Sequence, residues 1–110
     1  MAMLDRPAPP APMPALEEQA VQAAAMLRLL ANERRLLLLC HLLSEGEVTV
    51  GRLAGHVGLS QPALSQHLQR LRDDGLVATR REGTTIHYRI ADDRVARLLA
   101  TLHDLFCITP

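Results

Sequence analysis

The stretch from Thr49 to Gly75 is punctuated in a way that few folds accommodate. Thr49 is a capping residue ahead of VGRLAGHV, Gly58 breaks the chain after Val57, and Ser60 opens a second helical run with Pro62 in its first turn. Gly75 closes that run. The pattern is helix, tight turn, helix. From Ser60 to Asp74, Leu64, Leu68 and Leu71 fall on one stripe to be buried, leaving Gln61, Ser65, Gln66, Gln69, Arg70 and Arg72 outside.

The flanking sequence completes a small, mainly α fold with one β-hairpin. Residues 1–14 hold five of the seven prolines and are expected to form a disordered arm, with 15–110 as the single folded domain. From Ala15 to Leu30 an amphipathic helix is predicted through Leu16, Ala20, Ala23, Leu27 and Leu30. Asn32 can cap a helix from Glu33 to Ser44, which Glu45 and Gly46 end; Leu36, Leu37, Leu38, Leu39, Leu42 and Leu43 make it apolar almost all round and place it at the centre of the core. After Gly75, the runs Leu76 to Arg81 and Thr84 to Ile90 flank a turn at Glu82-Gly83 and read as a hairpin. The last helix starts near Asp92. Its stripe of Val95, Leu98, Leu99, Leu102, Leu105 and Phe106 is too rich for the surface of a monomer and predicts packing against another chain.

Composition narrows the function classes. Tyr88 and Phe106 are the only aromatic residues, too few to stack on single-stranded nucleic acid. The formal net charge is zero, yet residues 51–90 carry six arginines against three carboxylates. All twelve cations are arginine, the side chain suited to forked phosphate and base contacts, although coding bias gives the same composition. No apolar run approaches the ~18 residues of a membrane span and the N-terminus does not read as a signal peptide, so a cytoplasmic protein with no membrane partner is expected.

A helix pair of this kind can set its second helix in the major groove of double-stranded DNA. Ser60, Gln61, Ser65 and Gln66 can reach base edges or phosphates, and His67 and Arg70 can reach phosphate. The same residues also suit an ordinary solvated face. Arg80 and Arg81 beside the hairpin turn, with Arg89 on the return strand, add a grip on the backbone or an adjacent minor groove, the alternative being charge that protects a strand edge.

Three segments, LLANERRLLLLCHLL, SQPALSQHLQRLRDDGLV and RREGTTIHY, together resemble the ArsR/SmtB family of bacterial winged-helix repressors over roughly residues 18–107. The resemblance implies a winged helix-turn-helix homodimer, joined through its first and last helices, bound to an inverted-repeat operator and released by an inducer. It marks Ser60, Gln61, Ser65, Gln66 and His67 as DNA contacts. Family members that detect soft metals carry Cys-x-Cys on the first helix of the pair, and VTVGRLAGHV has no cysteine. Near the last helix, Arg94 follows Asp92 and Asp93, leaving His103 and Asp104 short of a tetrahedral set; no metal and no cofactor are expected.

Cys40 lies mid-helix and Cys107 at the end of the last helix, far apart in sequence. Taken singly, either fits as a small inert hydrophobe. As a pair, in LLLLC and LHDLFC, they are similar to the SqrR/BigR-type subgroup, which implies a persulfide or polysulfide inducer that joins Cys40 and Cys107 through a disulfide or longer sulfur chain and weakens operator binding. A repressor answering to a general oxidant or a metal ion is the nearest alternative. An enzyme is not expected, because no Cys-x-x-Cys, Gly-rich phosphate loop or Ser, His and acid set is present. A helix-turn-helix used only for protein contacts would show no salt-dependent duplex binding.

Overall fold

A computed structural model describes residues 13–106. The chain divides into two units at the junction of Leu30 and Ala31. The first contributes one helix, α1 (Met13–Leu30), which starts two residues ahead of the predicted Ala15. Ala20, Ala23 and Leu27 of its predicted apolar stripe are exposed, as is Val21. The arm expected at residues 1–14 lies almost wholly outside the described residues.

The second unit runs α2 (Glu33–Glu45), β1 (Val48–Thr49), α3 (Val50–Val57), α4 (Gln61–Asp73), β2 (Val77–Glu82), β3 (Thr85–Ile90) and α5 (Asp93–Phe106). It is a mainly helical winged-helix fold. Each start has a side-chain cap. Asn32 Oδ1 accepts the Arg35 N–H at 3.0 Å and opens α2; Asp92 Oδ1 accepts the Arg94 N–H at 2.8 Å at the head of α5. Gly46 closes α2 with its N–H on the Leu42 carbonyl.

α2 packs on α3, α5 and β3, the central position its composition predicted. It is not covered all round, however. Leu38, Leu39 and Leu42 are fully buried, Leu36 and Leu43 are half-buried, and Leu37 remains 51% exposed. The core is completed by Leu53 from α3, Leu64, Leu68 and Leu71 from α4, and Val95 and Leu99 from α5. Each such leucine contributes about 1.5–3 kcal/mol by leaving water. Toward its end α5 emerges from cover, with Leu105 70% and Phe106 78% exposed.

The hairpin belongs to a three-stranded antiparallel sheet in the order β1, β3, β2. β1 was not predicted; Val48 pairs with Tyr88 and Thr49 with His87. The hairpin turn also differs from expectation by one residue. Glu82 pairs with Thr85, so the loop is Gly83-Thr84 and not Glu82-Gly83. Gly83 takes φ 64, and a two-residue loop with glycine in its first place matches the twist of the two strands.

Candidate nucleic-acid interface

α3 and α4 are set by their local chemistry. Thr49 Oγ1 accepts the Arg52 N–H at 3.4 Å, and Gly58 reverses the chain in the left-handed region at φ 68 while its N–H reaches the Ala54 carbonyl. Ser60 Oγ then accepts the Ala63 N–H at 3.3 Å to start α4. With Leu64, Leu68 and Leu71 holding one side of α4 in the core, Gln61, Ser65, Gln66, Gln69 and Arg70 are all exposed. Short polar side chains therefore form the outward face of a helix that packs on α3 and β2. A Cβ added at Gly51 of α3 would lie 3.4 Å from the Gln61 amide nitrogen, so Gln61 leans across the helix pair.

His67 is placed differently from its neighbours. It is half-buried on the flank of α4 that faces α2, and its pKa is lowered from the usual 6.5, first by burial and then by Arg34, Arg70 and Arg35. Arg34 and Arg35 are not among the contacts expected from the sequence. Their outward position beside α4 was signalled only by two adjacent charges in the first turn of an apolar helix.

The three wing arginines do not form one patch. The register puts Arg80 opposite His87 and Arg89 opposite Ala78, both on one face, whereas Arg81 lies opposite Ile86 on the other. Arg80 is engaged by Glu47, with Nη2 to Oε1 at 2.7 Å, and stands 3.8 Å from Glu82. The hydrogen bond from Arg80 holds the Glu47 carboxyl below the usual carboxylate range, and the shift on Arg80 is correspondingly upward. Arg81 and Arg89 are exposed and have no ion pair among the described residues. The Nε2 of His87 is buried without a hydrogen-bond partner, 3.5 Å from Glu82 Oε1, a pair that becomes ionic when the imidazole is protonated.

A second candidate site surrounds Cys40. This half-buried thiol lines a largely apolar crevice of about 440 Å³ between α2 and α5 with Glu33, Leu36, Leu37, Leu102, His103 and Phe106. His41, its chain neighbour, turns away and stacks on His56 of α3, ring centroids 5.7 Å apart. Cys107 lies outside the described residues. Asp92 is engaged in capping α5 and in pairing with Arg94 at 3.0 Å, the cause of its lowered pKa. Among the described residues no group of three or more His, Cys, Asp or Glu could hold a metal ion, and no helix is long and apolar enough to cross a membrane.

A capped helix pair with a polar outward face, followed by an arginine-bearing hairpin, defines a winged helix-turn-helix DNA-binding regulator. Residues 32–79 match the family of bacterial regulatory proteins described as arsR. The biofilm growth-associated repressor of Agrobacterium fabrum is 46% identical over 96 residues, covering 87% of this chain and 81% of the relative. The transcriptional activator HlyU of Vibrio cholerae is 46% identical over 92 residues, covering 84% of each. A crystal structure of the predicted DNA-binding transcriptional regulator from E. coli superposes with a TM-score of 0.81 at 38% identity, covering 86% of this chain and 100% of that one. The chain belongs to the arsR family, and the relatives named above are transcriptional regulators and not enzymes.

Proposed function

We propose that this protein is a homodimeric repressor that leaves an inverted-repeat operator when reactive sulfur species join Cys40 to Cys107. The observation that carries this reading is the apolar crevice at Cys40, bordered by Phe106, the residue directly before Cys107 in the chain. Apolar walls favour an uncharged or soft sulfur reagent over a hydrated ion. Repression is favoured by three relatives of 41–46% identity named as biofilm growth-associated repressors, set against one of 46% identity named as an activator.

The chemistry balances without a metal. The Cys40 thiolate attacks the outer sulfur of a persulfide, RSSH, giving Cys40–SSH and releasing RSH as the old S–S bond breaks. The Cys107 thiolate then attacks the inner sulfur and displaces hydrogen sulfide, leaving a disulfide. If both cysteines are first persulfidated, their condensation releases one hydrogen sulfide and leaves a three-sulfur bridge. Either bridge ties α2 to the chain end beyond α5. Exposed Leu105 and Phe106 on α5, with Val21 and Leu27 on α1, suit these two helices to subunit packing, so the tie can alter half-site spacing without touching α4.

On the DNA side, Ser60, Gln61, Ser65 and Gln66 read base edges or phosphates, while His67, Arg70, Arg80, Arg81 and Arg89 meet the backbone. The test of the sensor is peptide mass spectrometry of reduced protein treated with glutathione persulfide. A linked pair of peptides containing Cys40 and Cys107, with zero or more inserted sulfurs, is expected. Modification confined to either cysteine alone would overturn the crosslink.

A further inference from the structure

Arg34 and Arg35 from the first turn of α2 line one crevice with His67 and Arg70 of α4, about 350 Å³ in volume and floored by Leu38 and Leu71. Its lining carries three arginines and no carboxylate. Asp74 pairs with Arg35 at 2.5 Å and Asp73 accepts from Gln69 at 2.9 Å, whereas among the described residues neither Arg34 nor Arg70 has an ion-pair partner. Glu33, the remaining nearby carboxylate, does not line this crevice; it lines the adjoining one toward Val57, Gly58 and Leu59, which Arg34 also borders, without forming an ion pair to Arg34.

Two further features suit the place to an anion. The crevice opens at the start of α2, where Asn32 supplies an acceptor to the Arg35 N–H and the other first-turn N–H groups have no intrahelical carbonyl. Arg70 stands one turn beyond Gln66 on α4, so the crevice borders the outward face of that helix. A helix lying in the major groove has a phosphate strand along each flank. Two guanidinium forks match the paired oxygens of a phosphate better than a point charge would.

We infer that this crevice is a seat for one backbone phosphate of duplex DNA, gripped by Arg34 and Arg70 beside the recognition helix. The inference rests on the DNA-binding reading and adds Arg34, on a different helix, to the contact set. Free phosphate shares the chemistry, so the experiment separates the two sources.

The full-length reduced protein is titrated by fluorescence anisotropy with an inverted-repeat duplex across a range of salt, as wild type, Arg34→Gln, Arg34→Lys and Arg70→Gln. The His67 imidazole is followed by NMR against pH, alone, with the duplex and with inorganic phosphate. Arg34→Gln is expected to lower the slope of log affinity against log salt by about one and affinity by about tenfold near 0.1 M salt, with Arg34→Lys restoring most of the slope. DNA is expected to raise the His67 pKa in the wild type and less in Arg34→Gln, because the bound anion offsets the surrounding arginines.

A His67 response to submillimolar inorganic phosphate, with an unchanged DNA slope in the Gln variants, would assign the seat to free phosphate and overturn the DNA contact. Wild-type DNA binding with neither slope nor imidazole affected would overturn the seat altogether. If the wild type binds no duplex in a salt-dependent way, the DNA-binding reading itself fails and the DNA contact with it.

Discussion

Arg80 of β2 and Glu47, just ahead of β1, form a forked ion pair: Nη2 donates to Oε1 at 2.7 Å, and Nε lies 3.2 Å from both carboxylate oxygens. The pair fastens the wing to the segment that leads into the helix pair. It also partly neutralises one of the three wing arginines while leaving Arg81 and Arg89 unpaired among the described residues.

Releasing Arg80 is therefore expected to strengthen nonspecific DNA binding. Glu47→Gln should bind duplex about two- to fivefold more tightly at low salt, with a steeper salt dependence, since one carboxylate is removed beside the phosphates. Arg81→Ala and Arg89→Ala should each cost more affinity than Arg80→Ala. Anisotropy at two salt concentrations measures all four, and an Arg80→Ala loss exceeding the other two would contradict this ranking.

Ser60 caps α4 and is proposed to contact DNA, two duties that substitution can separate. Its hydroxyl caps α4 through the Ala63 N–H, so Ser60→Ala should lower stability by about 1 kcal/mol in urea unfolding and also weaken DNA binding. Ser60→Asp keeps a capping oxygen and should retain most of the stability, yet its charge beside phosphate should lower affinity further than alanine does. Parallel loss of stability and binding in both variants would show that Ser60 acts on DNA only through the fold.

His67 should make stability fall on mild acidification. Its pKa in the folded chain lies below the ordinary 6.5, mainly through burial, so the unfolded chain binds more protons between the folded value and 6.5. Stability is then greatest above 6.5, decreases as pH drops through that window and levels off below the folded pKa. The urea midpoint of the wild type should fall between about pH 7.5 and 5.5, and His67→Asn should reduce that fall. An identical pH dependence in the variant would remove His67 as its source.

Most of the fold was legible because its boundaries are chemical. Asn32, Thr49 and Ser60 are capping residues whose side chains do accept first-turn N–H groups, and Leu64, Leu68 and Leu71 are buried as their spacing required. What escaped had no local signature. β1 is two residues long, and Thr49 serves both in the strand and as the cap of α3, so pairing with β3 shows only in three dimensions. β-branched Thr84 looked like strand, although the chain turns there and Glu82 takes the last paired position. At the candidate interface, spacing found the outward face of α4 but not the partners of its flank. Arg34 and Arg35 meet His67 only because α2 and α4 come together, and Arg80 meets Glu47 across an interval of 33 residues.

Cys40 and Cys107 are proposed to act as a pair on DNA affinity. The direct measurement is fluorescence anisotropy on an inverted-repeat operator with reduced wild type, Cys40→Ser and Cys107→Ser, each before and after treatment with glutathione persulfide. Tight binding is expected of all three reduced proteins, with loss of affinity of roughly tenfold or more in the wild type alone, consistent with a coupling of about 1–3 kcal/mol, and recovery on adding a thiol reductant. Wild-type binding that persulfide leaves unchanged, or an equal loss in either single variant, would contradict the pairing.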